Sequence, residues 1–124
     1  MKKTEFKKSF FELLDTEVDS LAYLERMEFV KKLLVEYQKE NEKKRDTSNK
    51  RNKWTDEELK IILSDTPSRE NCLKYAILFK RGYGSIEQIY RWSTTPDNKL
   101  SQRRQADSFV LQIKRIAKEL GLCG

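Results

Sequence analysis

Three polar side chains, spaced for one side of a short helix, are the residues of this 124-residue sequence best suited to recognise a ligand. Ser85, Gln88 and Arg91 recur every third position just before Trp92, so a helix would bring them to the same side. In the DNA major groove, glutamine can form two hydrogen bonds with adenine, and arginine can form two with guanine. The spacing therefore indicates base recognition by Gln88 and Arg91, with Ser85 capping the helix and reaching a phosphate.

Cationic side chains lie on both sides of this segment and could contact a DNA backbone. Phosphate contacts come largely from Lys and Arg, and they orient a protein on the duplex. The candidates are Lys50, Arg51, Lys53, Lys80, Arg81, Arg103 and Arg104. The expected partner is therefore double-stranded DNA.

The charge distribution favours the same partner. Residues 1–40 contain eight Lys/Arg and nine Asp/Glu, a net charge of −1, whereas residues 41–124 contain eighteen and eleven, a net of +7. A cationic half suggests a polyanion such as nucleic acid, although lysine-rich solvated helices give a similar balance. Residues 46–53 are predicted as a basic linker, which could also act as an arm that reaches phosphates or a minor groove.

Helices are the elements predicted to position these side chains. Apolar residues fall into clusters at helical spacing, and only four Gly and two Pro interrupt the chain. The predicted fold class is all-α. It comprises an N-terminal helical extension (1–45), a three-helix unit (54–95) and a C-terminal helix (99–121) packed on that unit.

Local signals divide the three-helix unit. Thr55 and Glu58 form a T-x-x-E capping box, so a first helix begins directly after Trp54. A second helix is predicted over about 69–81, with Gly82 as its stop. The residues expected to be buried in this second helix are Cys72, Leu73, Ala76 and Ile77.

A tight turn at residues 83–84 is expected to separate the second and third helices. Ser85 with Gln88 resembles a second capping box, which would open the third helix at Ser85. Two helices joined by a tight turn are the geometry of helix-turn-helix DNA-binding proteins, in which the last helix enters the major groove.

The central stretch, about residues 51–95, resembles the Myb/SANT-like family. The resemblance rests on the pattern W-T-x-E-E-L that begins at Trp54 and on R-G-x-x-S-I-x-x-I-x-x-W that ends at Trp92. Trp54, Leu73 and Trp92 keep the family's spacing of about 19 residues between bulky apolar positions. The resemblance implies a three-helix bundle whose third helix commonly reads the major groove, although SANT relatives bind proteins instead.

The N-terminal residues 1–40 are predicted to form a helical hairpin or a dimerisation surface. A first helix is expected over 4–14, and Asp15 or Thr16 would cap a second, longer helix that carries apolar residues as far as Tyr37. The apolar stripe is wide and should be covered on two sides, within the chain, by a second copy or by a protein partner.

The composition argues against several classes of site. The sequence has no His, and its two thiols, Cys72 and Cys123, lie far apart, so the usual spacing of a zinc site is missing. We expect no metal, cofactor or catalytic residues. No apolar run suits a signal peptide or a membrane span, so no membrane partner is expected. The expected location is cytoplasmic and nucleoid-associated for a prokaryotic or phage protein, and nuclear for a eukaryotic one.

Two hypotheses of function follow from the sequence. The first is a DNA-binding protein that is not an enzyme, either a transcriptional regulator or an accessory factor of a phage or mobile element. The alternative is a protein–protein interaction module, a SANT-like adaptor or inhibitor, whose basic surface is incidental.

Overall fold

The computed structural model describes residues 1–122, which form helices joined by turns and loops. The α-helices are α1 (Lys3–Leu14), α2 (Tyr23–Glu40), α3 (Asp56–Leu63), α4 (Arg69–Leu78), α5 (Tyr83–Thr94), α6 (Gln102–Gln105) and α7 (Ser108–Glu119), with 3-10 turns at Glu42–Lys44 and Asp97–Lys99. Within residues 1–122 there is no β-strand. The all-α prediction is confirmed.

The chain divides into two compact units, Met1–Leu33 and a second that begins at Leu34. In the second unit α4 packs against α5, and α7 packs against both α3 and α5. Its core is apolar and nearly solvent-free at the centre, with Leu59, Ile62, Ala76, Ile86, Ile89, Ile113 and Ile116 fully buried. Burial of this apolar surface is the main force that holds the four helices together.

The start of α3 agrees with the capping-box prediction. The Thr55 hydroxyl accepts a hydrogen bond from the Glu58 N–H at 3.2 Å, and the Glu58 carboxylate accepts one from the Thr55 N–H at 2.9 Å. Two N–H groups that a helix start leaves unpaired are thereby satisfied. The cap fixes where α3 begins and directs Leu59 into the core.

The end of α4 differs from the prediction. The helix stops at Leu78 rather than near residue 81, because Lys80 adopts the left-handed conformation with a φ of 57°. Gly82 is not the helix stop, since its backbone is extended, with φ −75° and ψ 148°, and it stands at the N-cap of α5. Ile77, expected in the core, is 45% exposed.

The predicted capping box at Ser85 is also wrong. Helix α5 begins two residues earlier, at Tyr83, and has no side-chain cap at its N-cap residue. The Tyr83 N–H donates instead to the carboxylate of Glu42, and the Tyr83 side chain is buried. A contact from a distant part of the chain therefore sets this helix start, and Ser85 lies within the first turn.

The single C-terminal helix expected over 99–121 is interrupted. The Asp107 carboxylate accepts hydrogen bonds from the N–H groups of Phe109 and Val110 and starts a new helix, α7, behind the short α6. Aspartate is a strong N-cap, so it competes with continuation of the helix. Gly121, with a φ of +77°, ends α7 as predicted.

In the first unit α1 matches its prediction, but the second helix starts later than expected. Asp15 is the C-cap of α1, and Thr16 donates its hydroxyl hydrogen to the Glu12 carbonyl, so neither residue caps α2. Asp19 and Ser20 have φ values of 34° and 62°, which an α-helix does not accommodate. None of the helices described up to residue 122 is long and apolar enough to cross a membrane.

Candidate nucleic-acid interface

An open groove of about 540 Å³ in the second unit brings several predicted site residues together. It lies between the basic segment, defined here as residues 50–53, the first turn of α5 and the first turns of α7. The lining residues are Lys50, Arg51, Asn52, Lys53, Trp54, Arg81, Ser85, Ser108, Phe109, Gln112 and Arg115.

The basic segment is not helical, and hydrogen bonds hold the residue before it against the α4–α5 turn. The Asn49 N–H donates to the Lys80 carbonyl at 3.1 Å, and the Asn49 side-chain amide donates to the Phe79 carbonyl at 3.2 Å. Further upstream, Arg45 donates to the carbonyls of Ala76 and Arg81 at 3.2 Å and 2.9 Å. Tertiary contacts therefore fix the approach of the basic segment to the groove.

Arg81 holds the other end of the basic segment, and its expected role as a phosphate contact is wrong. The side chain is 2% exposed, and its guanidinium donates to the carbonyls of Asn52 and Lys53. It also stacks on the Trp54 ring, 3.9 Å from the ring centroid. Burial lowers the pKa of Arg81, an effect opposed by the Glu58 carboxylate 3.9 Å away. Arg81 therefore positions the backbone of the basic segment that lines the groove.

Two lining residues of α7, Gln112 and Arg115, were not predicted. The Gln112 amide donates to the Trp54 carbonyl at 3.1 Å and to the Asp56 carboxylate at 2.9 Å. Arg115 forms an ion pair with the same carboxylate at 2.9 Å. The hydrogen bond from Gln112 has the largest effect in lowering the pKa of Asp56, and the hydrogen bond from Arg115 has the next largest. The sequence contains a signal for these two residues, because Ser108, Gln112 and Arg115 are spaced for one side of a helix and Phe109 follows Ser108.

Aromatic contacts extend the groove towards α6. The Phe109 ring meets the Trp92 ring edge-on, with 6.0 Å between centroids. The Arg104 guanidinium lies 4.9 Å from the Trp92 centroid. Arg103, its neighbour on α6, is exposed. Two further predicted cations, Arg103 and Arg104, thus lie on α6, which the aromatic contacts connect to the groove.

The outer face of α5 carries the residues predicted to read bases. Gln88 and Arg91 are both exposed, opposite the buried Ile86 and Ile89. Ser85 is partly buried and lines the groove. The helix therefore presents its polar side to solvent while its apolar side packs in the core.

The predicted cation Lys80 and the α5 residue Glu87 lie outside the groove, and each has a partner of opposite charge. Lys80 is exposed at the α4–α5 turn, and its ammonium lies 3.7 Å from the Asp46 carboxylate. Glu87, on α5, lies 3.8 Å from the Lys39 ammonium, which reduces the repulsion that it would exert on a nearby phosphate. No group of His, Cys, Asp and Glu within residues 1–122 has the arrangement of a metal site.

Comparisons with known proteins place this chain in a family. Residues 48–124 match the family described as "Uncharacterised protein PM1205 C-terminal domain", a range that includes the basic segment and α3 to α7. The "Uncharacterized protein PM1205" of Pasteurella multocida (strain Pm70) is 50% identical over 123 residues, which is 98% of each chain. No solved structure matches the chain. The protein thus belongs to the PM1205 C-terminal domain family.

Proposed function

We propose that this protein binds double-stranded DNA through the groove and the exposed face of α5. The observation that carries the proposal is the wall of exposed cations formed by Lys50, Arg51 and Lys53 beside the aromatic side chains of Trp54 and Phe109. A cationic surface gains affinity for DNA by releasing condensed counterions. The fixed backbone of the basic segment keeps these cations together, so little ordering is needed when DNA binds.

The duplex backbone would run along this wall towards α6. Arg103 and Arg104 lie at the end of the aromatic contacts that leave the groove, so they supply the second group of phosphate contacts. Contacts of this kind set orientation and carry no sequence information. They would hold α5 at a fixed position on the duplex.

Sequence recognition is assigned to α5. The turn of residues 79–82 joins α4 to α5, which is the length found in helix-turn-helix units. Gln88 and Arg91 are exposed on the second of these helices, and their side chains suit adenine and guanine edges in the major groove. This is the use of the third helix that the Myb/SANT-like resemblance implies, and it fits a transcriptional regulator or an accessory factor of a mobile element.

A matched pair of double variants tests the proposal. Arg51→Ala/Lys53→Ala removes two charges from the groove, whereas Lys43→Ala/Lys118→Ala removes two exposed charges outside it. By fluorescence anisotropy with a labelled duplex at low salt, the groove variant should bind about tenfold more weakly and the control within about twofold of the wild type. Equal losses in both variants would assign the binding to net charge and contradict the groove.

A second candidate function is a protein–protein interaction module. The observation in its favour is the large exposed apolar surface of residues 1–33, in which Leu24 and Tyr23 are among the most exposed side chains. Soluble monomers rarely expose a large contiguous apolar patch. If this function stood alone, no duplex would bind at low salt, and the groove variants would leave partner binding unchanged.

A further inference from the structure

The first unit lacks a hydrophobic core. None of residues 1–33 is buried, although they include five Phe or Tyr side chains and several Leu and Val. A unit of this size cannot be stabilised by so little burial, and small units of this kind usually need oligomerisation or another covering surface. Something must therefore cover its apolar side chains.

The exposed apolar surface of α1 has the shape of a stripe along one side. Phe6, Phe10 and Leu13 follow one another at the i, i+4, i+7 spacing of a helix face. The rings of Phe6 and Phe10 stack at 6.4 Å between centroids, yet Phe6 is 64% and Leu13 67% exposed. A stripe of this length suits a second helix that lies along it.

The charges of this region are segregated along the chain. Residues 2–8 contain four Lys and one Glu, a net charge of +3, whereas residues 12–17 contain three acids and no base, a net of −3. This order opposes the helix dipole, which favours acids at the start and bases at the end. The arrangement therefore weakens an isolated α1. It becomes favourable where a surface of complementary charge lies along the helix.

We infer that α1 pairs in antiparallel orientation with α1 of a second copy of this chain. In that orientation the basic end of each helix lies beside the acidic end of its partner, and the two apolar stripes face each other across a two-fold axis. Residues 1–33 contain seven Lys/Arg and seven Asp/Glu. Their net charge is zero, so two copies of this unit do not repel each other through net charge. The formal charge of +6 belongs entirely to residues 34–124. Pairing of α1 does not require DNA.

Sedimentation of the full chain over a concentration series tests the apolar part of this inference. The wild type should approach twice its 14.8 kDa mass as its concentration rises. Phe6→Asp should weaken self-association by about a hundredfold, because a carboxylate would lose its water in the interface without a partner. Phe11→Asp is the matched control: Phe11 is also exposed, at 51%, but its direction on α1 is about 100° from that of Phe10.

A charge exchange tests the orientation. One variant changes the four Lys of residues 2–8 to Glu, and the other changes the three acids of residues 12–17 to Lys. Both changes agree with the helix dipole, so a loss of association cannot be attributed to a weaker helix. Each variant alone should associate at least about tenfold more weakly than the wild type, whereas an equimolar mixture should associate as well as the wild type or better.

Three results would overturn the inference. They are a wild type that stays at 14.8 kDa throughout the series, equal effects of Phe6→Asp and Phe11→Asp, and a mixture of the charge variants that associates no better than either alone. A monomeric wild type would mean that the stripe is covered by another protein or by the chain itself. All of these measurements are made without DNA, so their outcome is separate from that of the DNA-binding test.

Discussion

Replacing Arg81 by lysine should destabilise the second unit while leaving its formal charge unchanged. The guanidinium donates to two backbone carbonyls, those of Asn52 and Lys53, and a hydrogen bond from a charged donor contributes about 1.5–3 kcal/mol. An ammonium can retain at most part of this pattern and loses the planar stacking on Trp54, worth about 1–2 kcal/mol when desolvated. The expected loss in free energy of unfolding is about 2–4 kcal/mol.

Urea unfolding followed by tryptophan fluorescence measures this loss, since Trp54 and Trp92 pack against the core of the second unit. Arg51→Lys is the matched control, because Arg51 is exposed in the groove and should change the free energy of unfolding by less than about 0.5 kcal/mol. In buffer without urea, folded Arg81→Lys protein should bind a duplex more weakly than the wild type, because the basic segment loses contacts that hold its cations in place. A free energy of unfolding within about 0.5 kcal/mol of the wild type would refute the structural role of Arg81.

Two further outcomes are expected. The hydrogen bond from the Tyr75 hydroxyl at 2.5 Å, then that from the Thr66 N–H, lower the pKa of Asp65 to about 2, so its stabilising effect is complete above about pH 4 and declines as the pH falls through about 2. The urea midpoint of unfolding, measured between about pH 4 and 2, should fall more steeply for the wild type than for Asp65→Asn. Parallel curves for the two proteins would contradict the stabilising role of the Asp65 carboxylate. Arg91→Ala should weaken binding to a selected DNA site more than binding to unrelated duplex, by about 1–3 kcal/mol. Equal losses on both, measured by anisotropy, would make Arg91 a phosphate contact.

Local sequence signals predicted the parts of the fold that local interactions determine. The capping box of Thr55 and Glu58 acts within four residues, and it starts α3 where the pattern indicates. Apolar spacing likewise predicted an all-helical chain and the burial of Leu73 and Ala76. These features depend on neighbours in the sequence, so they can be read without the rest of the structure.

Features that depend on distant residues could not be predicted in the same way. Arginine is rarely buried without partners, and the partners of Arg81 are carbonyls 28 and 29 positions earlier in the chain. The start of α5 depends on the Glu42 carboxylate, 41 positions before Tyr83. The sequence therefore predicted Arg81 as a site residue, but not that its side chain is buried and holds the basic segment in place.

Contacts from α7 were missed for a related reason. Gln112 and Arg115 reach the groove only because α7 packs against α3. A periodic helix shows which of its sides is apolar, but the element against which that side packs depends on the tertiary fold. Asp107, which separates α6 from α7, is in contrast a local N-cap signal that the sequence contains.

The salt dependence of duplex binding is the measurement that tests the central proposal most directly. Five exposed cations among those predicted lie in the groove or at its extension, namely Lys50, Arg51, Lys53, Arg103 and Arg104. If each contacts one phosphate, a plot of log affinity against log salt concentration should have a slope of about −4 to −5. The slope of Arg51→Ala/Lys53→Ala should be shallower by about 2. The absence of any duplex binding by the wild type at low salt would contradict the proposal.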